Sequence, residues 1–222
     1  MPAELWWANM GQYNLATFPI QIVVMVAGMV LSASLVISSG KIVNKTIKIF
    51  FSLSFIFIGI TFFIVLGNFE LPQKIAQGGV FILMGLLFFI DIFKGNIHFE
   101  VPKENKTKRM IFFISLLTIF CYPLFGMLSG RVFPHIILFG LLPCSTTAFA
   151  LTMLSIAKIR KNKLLYILLL IWAVPFPPII QVPQYGVYED LIMFFIGIYG
   201  LYIFIQNWRN ERSTGKNKLK ES

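Results

Sequence analysis

HIILFGLLPCSTTAFALTMLSIAKIRKNKLLYILLLIWAVPFPPII, residues His135 to Ile180, holds two long apolar runs separated by a short basic stretch, KIRKNK at 158–163. A bilayer core of roughly 30 Å takes about 20 apolar residues as a helix, and a pair of such runs joined by a few cations predicts a transmembrane hairpin turning on the cytoplasmic side. The same pattern recurs in both directions from this point. Apolar runs are predicted at Phe18 to Ser38, Ile47 to Leu66, Ile75 to Phe93, Met110 to Ser129, His135 to Ala157, Leu164 to Ile180 and Leu191 to Trp208. Continuous runs of this length without strict alternation choose helices over barrel strands. The expected class is all-α: a polytopic membrane helix bundle of about seven transmembrane helices, with the N-terminus outside and the C-terminus cytoplasmic.

Composition agrees. Apolar residues make up 57% of the 222 positions and charged residues 13%, and the mean hydropathy is +0.80, values that a water-solvated surface does not allow. Seventeen of the 19 Lys and Arg residues lie in the loops at 41–48, 94–109 and 158–163 and in the tail from Arg209, while Lys74 and Arg131 alone lie opposite. That asymmetry assigns the basic side to the cytoplasm, and it accounts for the net charge of +10 through an anionic leaflet rather than nucleic acid. Three regions are expected: an external amphipathic N-terminal segment (1–17), a seven-helix transmembrane domain (18–208), and a basic, disordered cytoplasmic tail (209–222). Met1 to Thr17 contains no Lys or Arg, so it does not read as a cleaved signal peptide. Trp6, Trp7, Tyr13, Tyr185 and Tyr188 outside and Trp208 inside are read as interfacial aromatics. The lipid bilayer is the expected partner, a small-molecule or ion substrate and a homo-oligomer remain open, and no cofactor is expected.

The run at His135 to Ala157 carries the most chemistry. Pro143 in mid-helix would free the carbonyl of Phe139 and kink the helix, and Cys144, Ser145, Thr146 and Thr147 follow it directly. Two readings are open: Ser and Thr stabilise an ordinary kink, or broken backbone and hydroxyls line a solute site near mid-membrane. The next run ends in WAVPFPPII (Trp172 to Ile180), whose three prolines predict an extended or re-entrant outer end after about 11 helical residues. The following segment, Gln181 to Asp190, reads first as a plain exposed loop, with a lid or a vestibule wall as the alternatives. Gln21 and Gln77 are placed to reach the same outer cavity, with Asn14, Asn68 and Gln73 on that side. The candidate substrate-binding set is therefore Pro143, Cys144, Ser145, Thr146, Thr147, Gln21 and Trp172.

Other groups read more plainly. Cys121 and Cys144 fall at similar depth if their runs form a hairpin, a weak metal or redox signature without further ligands. Asp91 is expected to pair with Lys94 at the surface, Asp190 to cap the last helix, and Arg131 and His135 to face an anion or lipid head groups. No serine-hydrolase elbow, zinc-protease helix or phosphate loop is present, so catalysis is not predicted.

The run YPLFGMLSGRVFPHIILFGLLPCSTTAFAL (Tyr122 to Leu151), with GQYNLATFPIQ (Gly11 to Gln21), LLIWAVPFPP and YEDLIMFFIG, resembles a prokaryotic multi-pass membrane family of unknown function, at times labelled a transporter permease. Its most specific element is Pro143, Cys144, Thr146 and Thr147, preceded by Phe139 and Gly140; Tyr13, Asn14, Pro19 and Gln21 match its opening. This chain has Ser145 where the family commonly carries a second proline, Arg131 where it carries a histidine, and no Trp or His in the second run. The resemblance implies a membrane bundle and names no substrate.

Overall fold

The structure, a computed structural model, describes residues 2–159 and 163–218, with side chains for 2–158 and 163–209. Helix α1 spans Ala3–Ile37, α2 Lys41–Phe57 with a π-helical continuation Ile58–Val65, and α3 Leu71–Lys94. Strand β1 (Ile97–Phe99) follows, then α4 (Lys106–Phe120), α5 (Tyr122–Leu128) and α6 (Pro143–Ser155). Strand β2 (Ala157–Ile159), α7 (Lys163–Ala173), a π-helical segment Pro177–Gln181, α8 (Val182–Tyr185) and α9 (Asp190–Lys218) complete the chain.

Among the described residues five helices are long and apolar enough to cross a membrane: α1, α2 with its π continuation, α3, the stretch Lys163–Tyr185, and Asp190–Arg209. The pair α4 and α5, bent by 56° at Cys121, makes a sixth candidate. These helices present apolar side chains outward and polar ones inward. On α1 the buried stripe includes Asn14, Thr17, Gln21, Gly28 and Ser32, while Leu15, Val23, Val26 and Val30 are exposed. A water-soluble helix shows the reverse order, so the surroundings of this bundle are apolar. The chain is a multi-pass membrane protein.

Three expectations require correction. The run His135 to Ala157 is not one helix: residues 131–142 are irregular and α6 begins only at Pro143. Pro143 is the first residue of the helix rather than a kink inside it, a position where its missing N–H costs nothing. Gly140 has φ +113°, a conformation that side chains with a Cβ rarely adopt, and a Cβ there would also meet Val24 Cγ1 at 2.8 Å. The outer end of the sixth run is helical rather than extended or re-entrant. Val174 N–H donates to Leu170 O (3.0 Å) and Ile179 N–H to Pro175 O (3.2 Å), and the wider π turn from Pro177 seats the proline rings without ending the helix. Finally, α1 runs unbroken through the expected boundary at 17/18, and the backbone of α9 stays helical into the tail, to Lys218; residues 219–222 lie outside the described residues, as do 160–162 of the basic loop.

Helix α6 forms the centre, with every side chain buried and α2, α4, α7 and α9 packed around it. Its Phe149 joins a ring cluster with Phe139 (5.0 Å) and Phe51 (5.2 Å), and Phe51 stacks on Phe88 at 5.0 Å. Helices α2 and α3 approach closely through glycines. A Cβ at Gly85 would fall 2.8 Å from Ser52 O and 2.6 Å from Ile56 Cγ1. Gly85→Ala is expected to lower stability by a net 1–2 kcal/mol or so, overpacking outweighing the helix propensity that alanine gains. The check is the thermal unfolding midpoint in detergent; an unchanged midpoint would show that the pair separates freely.

The loops after α1, α3 and α6 meet at one end. Strands β1 and β2 pair antiparallel there, Ile97 opposite Ile159 and Phe99 opposite Ala157. The Asn44 amide joins them, accepting from Phe99 N–H (2.6 Å) and donating to Phe99 O (3.1 Å). Asp91 is not a surface partner of Lys94: it is buried, pairs with Lys48 at 2.8 Å and accepts from the N–H groups of Asn96 and Ile97, because the turn at Gly95 (φ +63°) folds that backbone over it. At this end the Lys158 ammonium, 2.7 Å away, holds the exposed Glu100 carboxyl below the usual carboxylate range.

Candidate functional site

The opposite end is assembled by side chains that reach irregular backbone. Residues 136–141 are buried and lie outside any helix, so their carbonyls must be satisfied from elsewhere. Helix α1 supplies the donors. The Asn14 amide donates to Pro134 O (2.6 Å) and Ile136 O (2.7 Å), and the Tyr13 hydroxyl donates to Leu141 O (2.6 Å). Gln21 donates to Asn14 Oδ1 (3.1 Å) and Thr17 Oγ1 (2.8 Å), which fixes the orientation of the Asn14 amide. Ser145 donates to Leu138 O at 3.0 Å. Tyr13 is thus a core residue and not an interfacial one, and Trp6, stacked on Tyr185 at 5.1 Å, is buried as well.

A second group closes this end. The Arg131 guanidinium donates to both carboxylate oxygens of Glu189 at 2.6 Å and to Gly186 O, and it lies 4.1 Å over the Trp7 ring. Trp7 Nε1–H donates to Tyr185 O at 2.9 Å. Arg131 therefore meets a protein carboxylate rather than a free anion or a head group. Asp190, fully buried, accepts from the Tyr122 hydroxyl at 2.9 Å and neighbours Cys144. Two adjacent acidic residues at the start of a helix read in sequence as capping groups; their burial follows from the fold of 122–131 against them.

Between these groups lies a cavity of about 240 Å³. Seven aromatic side chains line it (Trp6, Phe62, Phe63, Phe69, Trp172, Phe176 and Tyr185), together with the amides of Gln73, Gln77, Gln181 and Gln184. Leu142, Pro143, Cys144 and Trp172 are buried and form its floor, whereas Gln73 and Gln184 are exposed at its rim. Gln181 and Tyr185 make the segment after the prolines a wall of this vestibule. Of the buried polar atoms at floor and wall, Gln181 Oε1 has no hydrogen-bond partner among the described residues, and Trp172 Nε1 meets only the sulfur of Cys144.

Of the seven predicted site residues the cavity gathers Pro143, Cys144 and Trp172. Ser145, Thr146 and Thr147 are fully buried and do not line it, because the helix turns them into the bundle; the hydroxyls of Thr146 and Thr147 have no partner among the described residues. Gln21 serves the Asn14 network instead of the cavity. Cys121 sits half-buried at the α4/α5 bend, away from the lining that includes Cys144, and both thiols are free. No group of three or more His, Cys, Asp or Glu that could hold a metal ion exists among the described residues. The aromatic lining from the π segment, Phe62 and Phe63, has no signal in sequence beyond hydrophobicity, and Trp6 carries the same signal as an interfacial aromatic.

A larger depression of about 700 Å³ lies at the basic end, between the loop 100–105 and the start of β2. Its side chains include the solvent-facing Lys103, Glu104 and Lys158, and none has a buried polar atom without a partner. The smaller cavity is the better candidate.

No protein of curated function and no solved structure matches the chain. A family match covers residues 3–215, which include every element that frames the cavity. The chain belongs to the family described as "Family of unknown function (DUF6064)".

Proposed function

We propose that this chain is a carrier of a small solute in the plasma or inner membrane of a prokaryote, with the basic end in the cytoplasm and the cavity open to the outside. The observation that carries the reading is the convergence of two interrupted segments on one cavity. The irregular stretch leading into α6 lines it through Ile137 and Leu142, and the π-interrupted stretch after α7 through Phe176, Ile180 and Gln181, with Pro143, Cys144 and Trp172 between them at the floor. Non-helical backbone at membrane depth is tolerated where protein buries it or water reaches it, and carriers place solute sites at such breaks. The orientation rests on the placement of Lys and Arg, seventeen of which belong to the basic end and its tail.

One observation favours a second reading, a structural or sensory module that does not transport. Thr146 and Thr147 are 0% exposed, packed inside the bundle rather than facing the cavity. A thiol-based redox or soft-metal role has less support, since the cavity takes in Cys144 without Cys121.

Cys144 separates the readings. In a Cys121→Ala background, a membrane-impermeant thiol reagent added to intact cells is expected to modify Cys144 through the cavity. Modification only in inverted vesicles would reverse the orientation. A thiol silent from both sides, yet reactive after denaturation, would favour the packed module.

A further inference from the structure

The cavity carries a statement about ligand chemistry that rests on the reading of it as a solute site. Its lining contains no Lys, Arg, His, Asp or Glu. The nearest charges do not line it: Arg131 is held by Glu189 and Gly186, and Asp190, which accepts from Tyr122, touches Cys144 without entering the lining. A charged solute would leave water without a counter-charge to receive it, which costs several kcal/mol. Two polar atoms nevertheless point to a ligand. Trp172 and Gln181 are 7% and 5% exposed; the amide oxygen of Gln181 has no partner among the described residues, and the indole N–H of Trp172 meets only the Cys144 sulfur, a weak acceptor. Buried polar atoms are almost always hydrogen-bonded, so an orphaned acceptor beside a donor that meets only a weak sulfur acceptor calls for a molecule bearing the complementary pair. The remaining surface is mostly ring faces and edges, suited to a flat apolar body.

We infer that the site takes an uncharged, planar, largely apolar molecule that accepts a hydrogen bond from Trp172 and donates one to Gln181, as a primary carboxamide or a lactam on an aromatic ring does. Both halves of the pair are required: a ketone satisfies only Trp172, and an amine satisfies only Gln181.

The test uses three probes of nearly equal size that differ in the head group: benzamide, benzoate and benzylammonium. Each is added to the Cys121→Ala protein in membranes, and the rate of Cys144 modification is followed. Benzamide is expected to protect at concentrations at least about tenfold below those the two ions need. Trp172→Phe and Gln181→Leu are each expected to weaken benzamide protection by about three- to tenfold, the effect of one neutral hydrogen bond. Trp172→Phe also removes packing against Phe63, Phe81 and Phe176, so each variant's protection is read beside its unfolding midpoint, and a loss of stability without a loss of protection would overturn the assignment. Better protection by benzoate or benzylammonium would overturn the ligand class while leaving the solute site intact; the second result would mean that Asp190 reaches the cavity. Free reaction of Cys144 with no protection by any probe would overturn the solute-site reading itself.

Discussion

Arg131→Met is expected to destabilise the protein by about 3–5 kcal/mol, because it removes one partner of a buried ion pair and leaves the other charged. The Glu189 side chain has 0% exposure, and both of its oxygens accept from the same guanidinium nitrogen at 2.6 Å. The second guanidinium nitrogen ties the Gly186 carbonyl, and the ring of Trp7 lies against the same group. One side chain therefore joins the end of α5, the turn before α9 and the start of α1. Adding Glu189→Gln to Arg131→Met is expected to return a large part of the loss, since a neutral amide no longer needs a counter-charge. A double-mutant cycle on unfolding in detergent measures this coupling. Equal midpoints for the single and double variants would show that packing against Trp7, and not charge, holds the joint.

Asn14→Leu is expected to cost about 2–6 kcal/mol, at roughly 1–3 kcal/mol for each carbonyl left bare. Leucine matches the size of asparagine but offers no donor to Pro134 O and Ile136 O, and Gln21 loses the Oδ1 to which it donates. Water is scarce at this depth, so the irregular stretch must loosen or shift to find partners. Cys144 lies just past that stretch, and its modification rate should rise together with the fall in the unfolding midpoint. A stable variant with unchanged thiol reactivity would mean that the carbonyls are satisfied without α1.

What the sequence discloses and what it conceals follow from the range of the interactions involved. Apolar runs and basic loops are local signals, so the helices from Phe18, Ile47, Ile75, Leu164 and Leu191 are legible, whereas the sixth run's prolines read as a helix end and the π turn instead carries the helix past them. The fifth run was harder to read. Hydropathy counts Ile136 to Leu142 as membrane helix, yet the stretch is irregular because Tyr13 and Asn14, more than 120 residues earlier, accommodate its carbonyls. Pro143 signals an interruption in either case; only tertiary contacts decide between a kink and a helix start. The same limit governs the site. Cys144 follows a proline and Trp172 opens the proline-rich segment, so both can be singled out, whereas Thr146 and Thr147 depend on the rotation of α6, which a helix buried on all sides does not encode. Asp91, Glu189 and Asp190 occupy positions that suit surface pairs and caps, and their burial depends on partners distant in sequence.

The bonds from Tyr13 and Asn14 also set a timetable for biogenesis. Their acceptors lie 128 and 120 residues downstream, and at about 5–20 residues per second the ribosome needs about 6–26 s to deliver them. Throughout that interval α1 is already made, with its buried-side amide and phenol facing no partner, and the stretch that needs them has not left the exit tunnel. A nascent chain ending before residue 134 therefore has an open seam along α1, with Tyr13 and Asn14 short of these acceptors. Final closure of the bundle is a late event, triggered by synthesis of the segment just ahead of α6.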